Sequence, residues 1–124
     1  MRRLAIALAV CVFPLSLAAQ DAQSELVEVA QGGLIRVLDR VSGDLSDLEM
    51  MAGQEVDYGR IRIGMSECRF PADDPASDAF AFVTVTNLGD ADPAFSGWMV
   101  ASSPALNALD HPRYDVWVMR CVNS

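Results

Sequence analysis

The sequence predicts a mostly β domain: a small antiparallel sandwich or partly open barrel with one short helix, tied by a disulfide. Short apolar segments recur along the chain with turn residues between them, which is typical of all-β folds. Residues 60–65 alternate apolar and polar side chains with the two-residue period of a strand. Two cysteines, Cys68 and Cys121, remain once a predicted leader is removed, and an even pair in an exported chain favours a disulfide.

The leader is a predicted signal peptide over residues 1–19. Two arginines give it a basic start, residues 4–13 form an uninterrupted apolar run, and small residues follow. As a helix that run rises about 15 Å, half of a bilayer core of about 30 Å, so it is too short for a stable span. We expect cleavage after about Ala18 or Ala19, export to the periplasm, and no transmembrane helix in the mature chain.

Cleavage also settles the cysteine count, because Cys11 leaves with the leader. Lipidation of Cys11 is the alternative, but a lipidated cysteine normally follows a small residue at the end of the apolar run. Here Val10 precedes it and the run continues beyond it. The remaining pair, Cys68 and Cys121, would close a loop that contributes roughly 4 kcal/mol in the chain-entropy model.

The predicted domain organisation after the leader is simple. Residues 20–33 are polar and acidic and end at two glycines, which indicates a flexible acidic tether, and residues 34–124 form a single β-rich domain. A short helix through Leu26 and Val29 is a weaker alternative for the tether. The domain's strands are expected at residues 34–40, 45–51, 60–68, 80–86, 95–101 and 114–122.

Two of these strands carry the clearest patterns, and one short helix separates the last two. In residues 60–68 the side chains of Ile61, Ile63 and Met65 share one face, while the arginines between them face water. Residues 80–86 start apolar on both faces, which favours a central strand. The helix begins at Pro104, a residue suited to the first helical position, with the preceding serine as its cap.

The charge of the chain excludes some classes of partner. The formal net charge is −8, and removal of the leader's two arginines leaves 7 basic residues against 17 acidic ones, a net charge of −10. An acidic surface repels phosphate backbones, so nucleic acid is not an expected partner. The same charge disfavours anionic lipid headgroups and keeps an exported domain soluble.

The sequence contains no motif that specifies a chemistry. His111 is its one histidine, and with Ser102 or Ser103 and Asp110 or Asp115 nearby a hydrolytic triad can be drawn. Triads are recognised by geometry, however, and no nucleophile-elbow motif is present. A turn in which the imidazole of His111 satisfies backbone groups is the favoured interpretation.

Metal and cofactor sites are not expected either. The acidic loops at residues 73–78 and 90–92 could offer oxygen ligands to Ca²⁺, but the calcium-loop spacing with its closing glutamate is absent. The cysteines lack the spacing of a zinc or redox site. We therefore predict a non-catalytic domain without metal or cofactor.

Four side chains are the candidates for contact with a protein partner. Aromatic residues pack in cores and are also enriched at interfaces. The first surface to inspect is an exposed Trp98. The candidate partner-binding residues are Trp98, His111, Tyr114 and Trp117.

A family resemblance adds to this interpretation. Residues 95–117, FSGWMVASSPALNALDHPRYDVW, residues 38–43, LDRVSG, and the pair Cys68 and Cys121 resemble domain-of-unknown-function family 2155. The similarity covers about residues 33–121. The resemblance implies a small exported bacterial protein without an established activity, so no catalytic position is carried over.

The resemblance also implies a partner. It suggests an accessory subunit on the periplasmic side of the respiratory NADH:quinone oxidoreductase of the inner membrane. Two alternatives stay open. One is a free periplasmic module that binds an envelope ligand, and the other is a hydrolase that uses His111.

Overall fold

The computed structural model describes residues 9–12 and 26–123, and the fold within them is built from eight strands and one 3-10 turn. The strands are β1 (Val27–Val29), β2 (Gly32–Asp39), β3 (Leu45–Met51), β4 (Gln54–Tyr58), β5 (Ile61–Pro71), β6 (Phe80–Asn87), β7 (Phe95–Val100) and β8 (Tyr114–Val122); the turn is Pro104–Leu106.

The strands form two antiparallel sheets. A five-stranded sheet has the order β1-β5-β6-β7, and β4 pairs with β5 on the edge that β1 also uses. A three-stranded sheet has the order β3-β2-β8. The sheets are not closed into a barrel, and the predicted mostly β antiparallel fold is confirmed, with the sandwich as the architecture that the two sheets form.

The core lies between the inner faces of the two sheets. Successive side chains of each strand point to opposite faces, and the apolar ones point inward. The prediction for β5 is confirmed, because Ile61, Ile63 and Met65 are completely or almost completely buried. The other fully buried large side chains come from both sheets: Ile35, Val37, Met50, Val83, Val85, Tyr114 and Val118.

The predicted disulfide joins the two sheets. Cys68 of β5 and Cys121 of β8 are bonded, with 5.7 Å between their Cα atoms. Gly33 of β2 lies beside this bond, and a Cβ atom at that position would come within 3.1 Å of the Cys68 sulfur and 3.0 Å of the Met65 sulfur. The glycine therefore lets β2 pass close to the cross-link.

Three local features differ from the sequence-based expectation. Strand β1 and the first two residues of β2 lie inside the segment predicted as a tether, and β1 is extended rather than helical. Strand β4 has no counterpart among the expected strands, which pass from residues 45–51 directly to residues 60–68. The expected helix is a 3-10 turn at Pro104–Leu106, and the side chain of Ser103 makes no capping hydrogen bond.

The predicted signal peptide lies mostly outside the described residues. Of its length the structure describes residues 9–12, which are exposed and include the unpaired Cys11.

Within residues 9–12 and 26–123, no helix is long and apolar enough to cross a membrane.

Candidate interaction surface

One end of the sandwich is held by two ion pairs between β2 and β8. Arg113 donates from Nη2 to Oδ2 of Asp39 at 3.0 Å, and Arg40 donates from Nε to Asp115 at 3.0 Å. Asp39 also accepts the backbone N–H groups of Val41 at 2.9 Å and Ser42 at 3.3 Å. The hydrogen bond from Arg113, reinforced by these backbone donors against the effect of burial, lowers the pKa of Asp39 to about 2.

His111 belongs to this same end and is buried, with 9% of its surface exposed. Its Nδ1 accepts the backbone N–H groups of Arg113 at 3.0 Å and Tyr114 at 3.2 Å. Nδ1 must therefore be the unprotonated nitrogen, so Nε2–H donates to Oδ1 of Asn87 at 2.7 Å. Both ring nitrogens hold the chain in place, as the favoured interpretation expected.

Ser102, one of the two serines of the hypothetical triad with His111, makes other bonds. Ser102 donates its hydroxyl to Asp78 at 2.7 Å, and its backbone N–H donates to the same carboxylate at 2.9 Å. Burial raises the pKa of Asp78, but these two bonds and one from the backbone of Ala79 together lower it further than burial raises it. The Asp78–Ser102 contact thus ties the loop before β6 to the end of β7.

Tyr114, like His111, is buried and bonds to the backbone of a neighbouring turn. It is 1% exposed, and its hydroxyl accepts the backbone N–H of Arg60 at 3.1 Å. Gly59 has a φ of +56°, and a Cβ there would collide with the Tyr114 hydroxyl. The tight turn before β5 is therefore shaped to receive this ring.

The outer face of the five-stranded sheet carries an exposed apolar region, which we call the aromatic face. The register aligns Phe80 of β6 with Val100 of β7, and Phe82 with Trp98. On the other side of β6, Phe80 is paired with Arg69 of β5. Arg69 is in turn paired with Val29 of β1. The aromatic face consists of Val27, Val29, Arg69, Phe80, Phe82, Trp98 and Val100.

Trp98 projects onto this face from β7, an edge strand of the sheet, and is 36% exposed. Its indole packs edge-to-face on Phe82, with 5.5 Å between ring centroids. The guanidinium of Arg69 lies over the indole at 4.9 Å and donates from Nε to Glu67 at 2.8 Å. Since Glu67 neutralises Arg69, the guanidinium stacked on Trp98 adds no net charge to the aromatic face.

A shallow, open groove of about 300 Å³ runs across the aromatic face. It is lined by Val27, Arg69, Phe80 and Trp98. An open groove lined by aromatic and aliphatic side chains and one arginine has the composition of the centre of a protein–protein interface.

The four predicted partner-binding residues are not brought together. Trp98 lies on the aromatic face, whereas His111 and Tyr114 are buried at the end of the sandwich. Trp117 is half-buried on the outer face of the other sheet, opposite Arg36 in the register. Trp98 is thus the one of the four that the structure places in an open groove.

Sequence reasoning did not identify Val27, Arg69, Phe80 or Phe82 as members of this surface. A usable signal was present for the two phenylalanines. Buried Ala81 and Val83 alternate with them, so a strand that is apolar on both faces must expose one of those faces unless another layer covers it. Val27 gave no signal, because β1 itself was not expected.

The acidic loops at residues 73–78 and 90–92 are the candidate Ca²⁺ ligands. In the parts of the chain that the structure describes, no three histidine, cysteine, aspartate or glutamate side chains are grouped so that they could hold a metal ion.

Comparison with known proteins identifies the family. The sequence profile of domain-of-unknown-function family 2155, described as an uncharacterized protein conserved in bacteria, matches residues 33–121. The "Uncharacterized protein RP359" of Rickettsia prowazekii (strain Madrid E) is 32% identical over 92 residues, which are 72% of this chain and 59% of that protein. The chain therefore spans about three fifths of that relative's length. No solved structure matches. With residues 33–121 of its 124 matched by the profile, the chain belongs to domain-of-unknown-function family 2155.

Proposed function

We propose that this protein is an exported, non-catalytic interaction domain that docks on a protein partner through the aromatic face. The observation that carries the proposal is the half-exposed Trp98 beside an open apolar groove on an otherwise acidic molecule. Interface centres are enriched in tryptophan and arginine and depleted of unpaired charge. The stacked Arg69 and Trp98, with Arg69 neutralised by Glu67, have that composition.

Export rests on two observations. The leader has the charge, length and small-residue exit of a signal peptide. The Cys68–Cys121 disulfide is of the kind that persists in oxidising compartments such as the bacterial periplasm. Both observations support the proposal that the mature chain is periplasmic.

The proposed partner is the periplasmic side of the respiratory NADH:quinone oxidoreductase, to which the protein would bind as an accessory subunit. This partner comes from the family resemblance, and the aromatic face supplies a surface on which such a docking could occur. A subunit bound in this way needs no active site of its own.

Co-purification from native membranes tests the proposal. A tagged chain is expressed in a bacterium that carries it naturally, the membranes are solubilised gently, and bound proteins are identified by mass spectrometry. We expect oxidoreductase subunits with the wild-type chain and at least a roughly tenfold loss of them with Trp98→Ser, in line with the cost of removing an interface tryptophan.

Leu45→Ser is the matched control, because Leu45 is an exposed apolar residue of the three-stranded sheet. It should leave the co-purification unchanged. A wild-type chain recovered only as a free periplasmic protein, or equal losses in the two variants, would contradict the proposal. Thermal unfolding of both variants shows whether either change acts through stability instead.

A second candidate, a module for a small envelope ligand, draws on the same groove. Small-molecule sites usually enclose most of the ligand surface, whereas this groove is open. Its shape therefore favours a protein surface as the occupant. A thermal-shift screen against envelope components addresses this candidate.

The third candidate, a hydrolase that uses His111, has the least support. His111 bonds to Asn87 and to the backbone, and Ser102 bonds to Asp78, so these side chains do not form a nucleophile–base pair. An unchanged cellular phenotype of His111→Ala at equal protein level would remove this candidate.

A further inference from the structure

Resting on the proposed function, we infer the chemistry of the docking partner: a protein segment that inserts one bulky apolar side chain into the groove of the aromatic face and places lysine or arginine residues against Asp73 and Asp74. The inference follows from the charge at the centre of the groove, the size of the groove, and the charge of the loop next to it.

The centre of the groove accepts an uncharged side chain. Its cationic group, Arg69, makes two hydrogen bonds to Glu67, at 2.8 and 3.0 Å. The guanidinium also stacks on Trp98. A charged side chain inserted here would meet no net opposite charge and would lose its hydration, so an apolar side chain is favoured.

The size of the groove limits what enters it. About 300 Å³ is the lower limit of the volumes that hold small-molecule ligands. Because the groove is open and shallow, its occupant is a side chain that projects from a larger surface. One aromatic or large aliphatic side chain meets both conditions.

An acidic loop lies next to the groove. The loop at residues 72–79 leaves β5 after Pro71 and enters β6 at Phe80, and the backbone N–H of Ala72 donates to the carbonyl of Leu26, next to Val27. The loop is thus anchored at both sides of the groove. It carries Asp73 and Asp74, which are exposed.

These two carboxylates are open to a partner. Asp78, the third acid of the loop, is already bonded to Ser102. For Asp73 and Asp74 the described part of the chain provides no ion pair, since its five ion pairs involve other acids. Cationic residues that flank the inserted side chain would complement them, and the net charge of −10 of the mature chain would speed the encounter.

A membrane surface is the less favoured occupant, although an exposed tryptophan also suits a membrane interface. The cytoplasmic and periplasmic leaflets of bacteria present anionic headgroups, which an acidic loop beside the groove would repel. The test below therefore includes vesicles as one of its arms.

Peptide titration followed by NMR tests the inference on the mature chain. The probe is a nine-residue peptide with a central phenylalanine and four flanking lysines. The chain has two tryptophans, so the indole N–H signal of Trp98 reports binding and that of Trp117, on the other sheet, is an internal reference. We expect the Trp98 signal to shift on titration and the Trp117 signal to stay in place.

Two matched comparisons test the charge. Asp73→Asn combined with Asp74→Asn should weaken binding of the lysine peptide about fivefold or more, as should a rise from low to high salt. Asp90→Asn combined with Asp92→Asn removes the same charge from the loop between β6 and β7, at the opposite end of the sheet. That control should change binding much less.

The inference is overturned if the lysine peptide does not shift Trp98. It is also overturned if a peptide with glutamates in place of the lysines, or with serine in place of the phenylalanine, binds as tightly as the lysine peptide. Equally tight binding of phosphatidylglycerol vesicles would overturn it too. The proposed function fails separately. If no oxidoreductase subunit co-purifies with the wild-type chain, the proposed function is contradicted even if the peptide binds. If the subunits co-purify with the wild-type chain and are lost with Trp98→Ser, it is supported even if the peptide does not bind.

Discussion

At the residue scale, five of the seven arginines of the described chain form an ion pair with a carboxylate, and one pair differs from the others. Four of the five ion pairs join side chains that are each about a quarter or more exposed, a class that typically contributes about 0–1 kcal/mol. Asp39, by contrast, has a side chain that is only 10% exposed. Its pairing with Arg113 fastens the end of β2 to the start of β8, so it is the ion pair on which we expect stability to depend.

The first prediction concerns the pH dependence of that pair. Because the folded-state pKa of Asp39 is about 2, below its ordinary value of 3.8, the pair stabilises the fold fully above pH 3.8 and loses this contribution as the pH falls towards 2. Asp39→Asn should therefore unfold at lower urea than the wild-type chain at pH 7. The difference should shrink below about pH 4 and vanish near pH 2.

Asp92→Asn is the control for loss of one exposed carboxylate, in the turn between β6 and β7. It should unfold close to the wild-type chain at every pH. A difference between Asp39→Asn and wild type that stays constant down to pH 2 would show that the carboxylate of Asp39 acts through packing rather than charge.

Single residues were predictable from the sequence where one local pattern determines the outcome. The burial of Ile61, Ile63 and Met65 follows from alternation alone. The structural role of His111 follows from a proline turn with nearby backbone donors. The stacking of Arg69 on Trp98 could not be predicted, because it depends on the order of strands that are distant in sequence.

At the element scale, the predicted strands were those with their own apolar pattern. Strands β3 and β8 have the predicted bounds, and the other four differ from them by a few residues. The two strands that were missed, β1 and β4, are short, mostly exposed and acidic, and both pair along one edge of β5. Their extended structure comes from the long β5 as a template rather than from their own residues.

The disulfide is the element-scale feature with the largest expected energy. Cys68 and Cys121 are 53 residues apart in sequence and connect the two sheets. Closing a loop of that length removes unfolded-state entropy worth about 4 kcal/mol. Reduction should lower the free energy of unfolding by about that amount, measured by urea denaturation with and without dithiothreitol.

The double variant Cys68→Ala/Cys121→Ala separates the bond from other effects of the reductant. It should unfold near the reduced wild-type chain and should not respond to dithiothreitol. If alkylation of the oxidised mature protein labels two thiols, or if reduction leaves stability unchanged, the cross-link does not stabilise this fold.

At the scale of the whole molecule, the two sheets present different outer faces. The three-stranded sheet covers its outer face with the Arg36–Asp47 pair beside a half-buried Trp117. The five-stranded sheet exposes the aromatic face, bordered at one end by the loop at residues 72–79. This asymmetry could not be predicted from composition, because it arises when β1, β5, β6 and β7 align their outward residues.

The extent of the folded unit is a second property of the whole molecule. The sequence predicts a domain that starts at residue 34, but earlier residues contact both sheets. Ala30 is buried, and its backbone N–H donates to the carbonyl of Cys68 at 2.8 Å. The carbonyl of Gln31 accepts the backbone N–H of Ala52 at 2.9 Å, where the chain crosses from one sheet to the other.

The last prediction follows from these contacts. A chain shortened to begin at residue 34 loses β1, the buried Ala30 and the paired Gly32 and Gly33, and with them several backbone hydrogen bonds of about 1 kcal/mol each. We expect its free energy of unfolding to fall by roughly 3 kcal/mol or more. A chain that begins at residue 26 keeps these contacts and should match the mature protein. Equal stability of the two shortened chains in urea denaturation would place the start of the domain at residue 34, because β1 would then contribute nothing to folding.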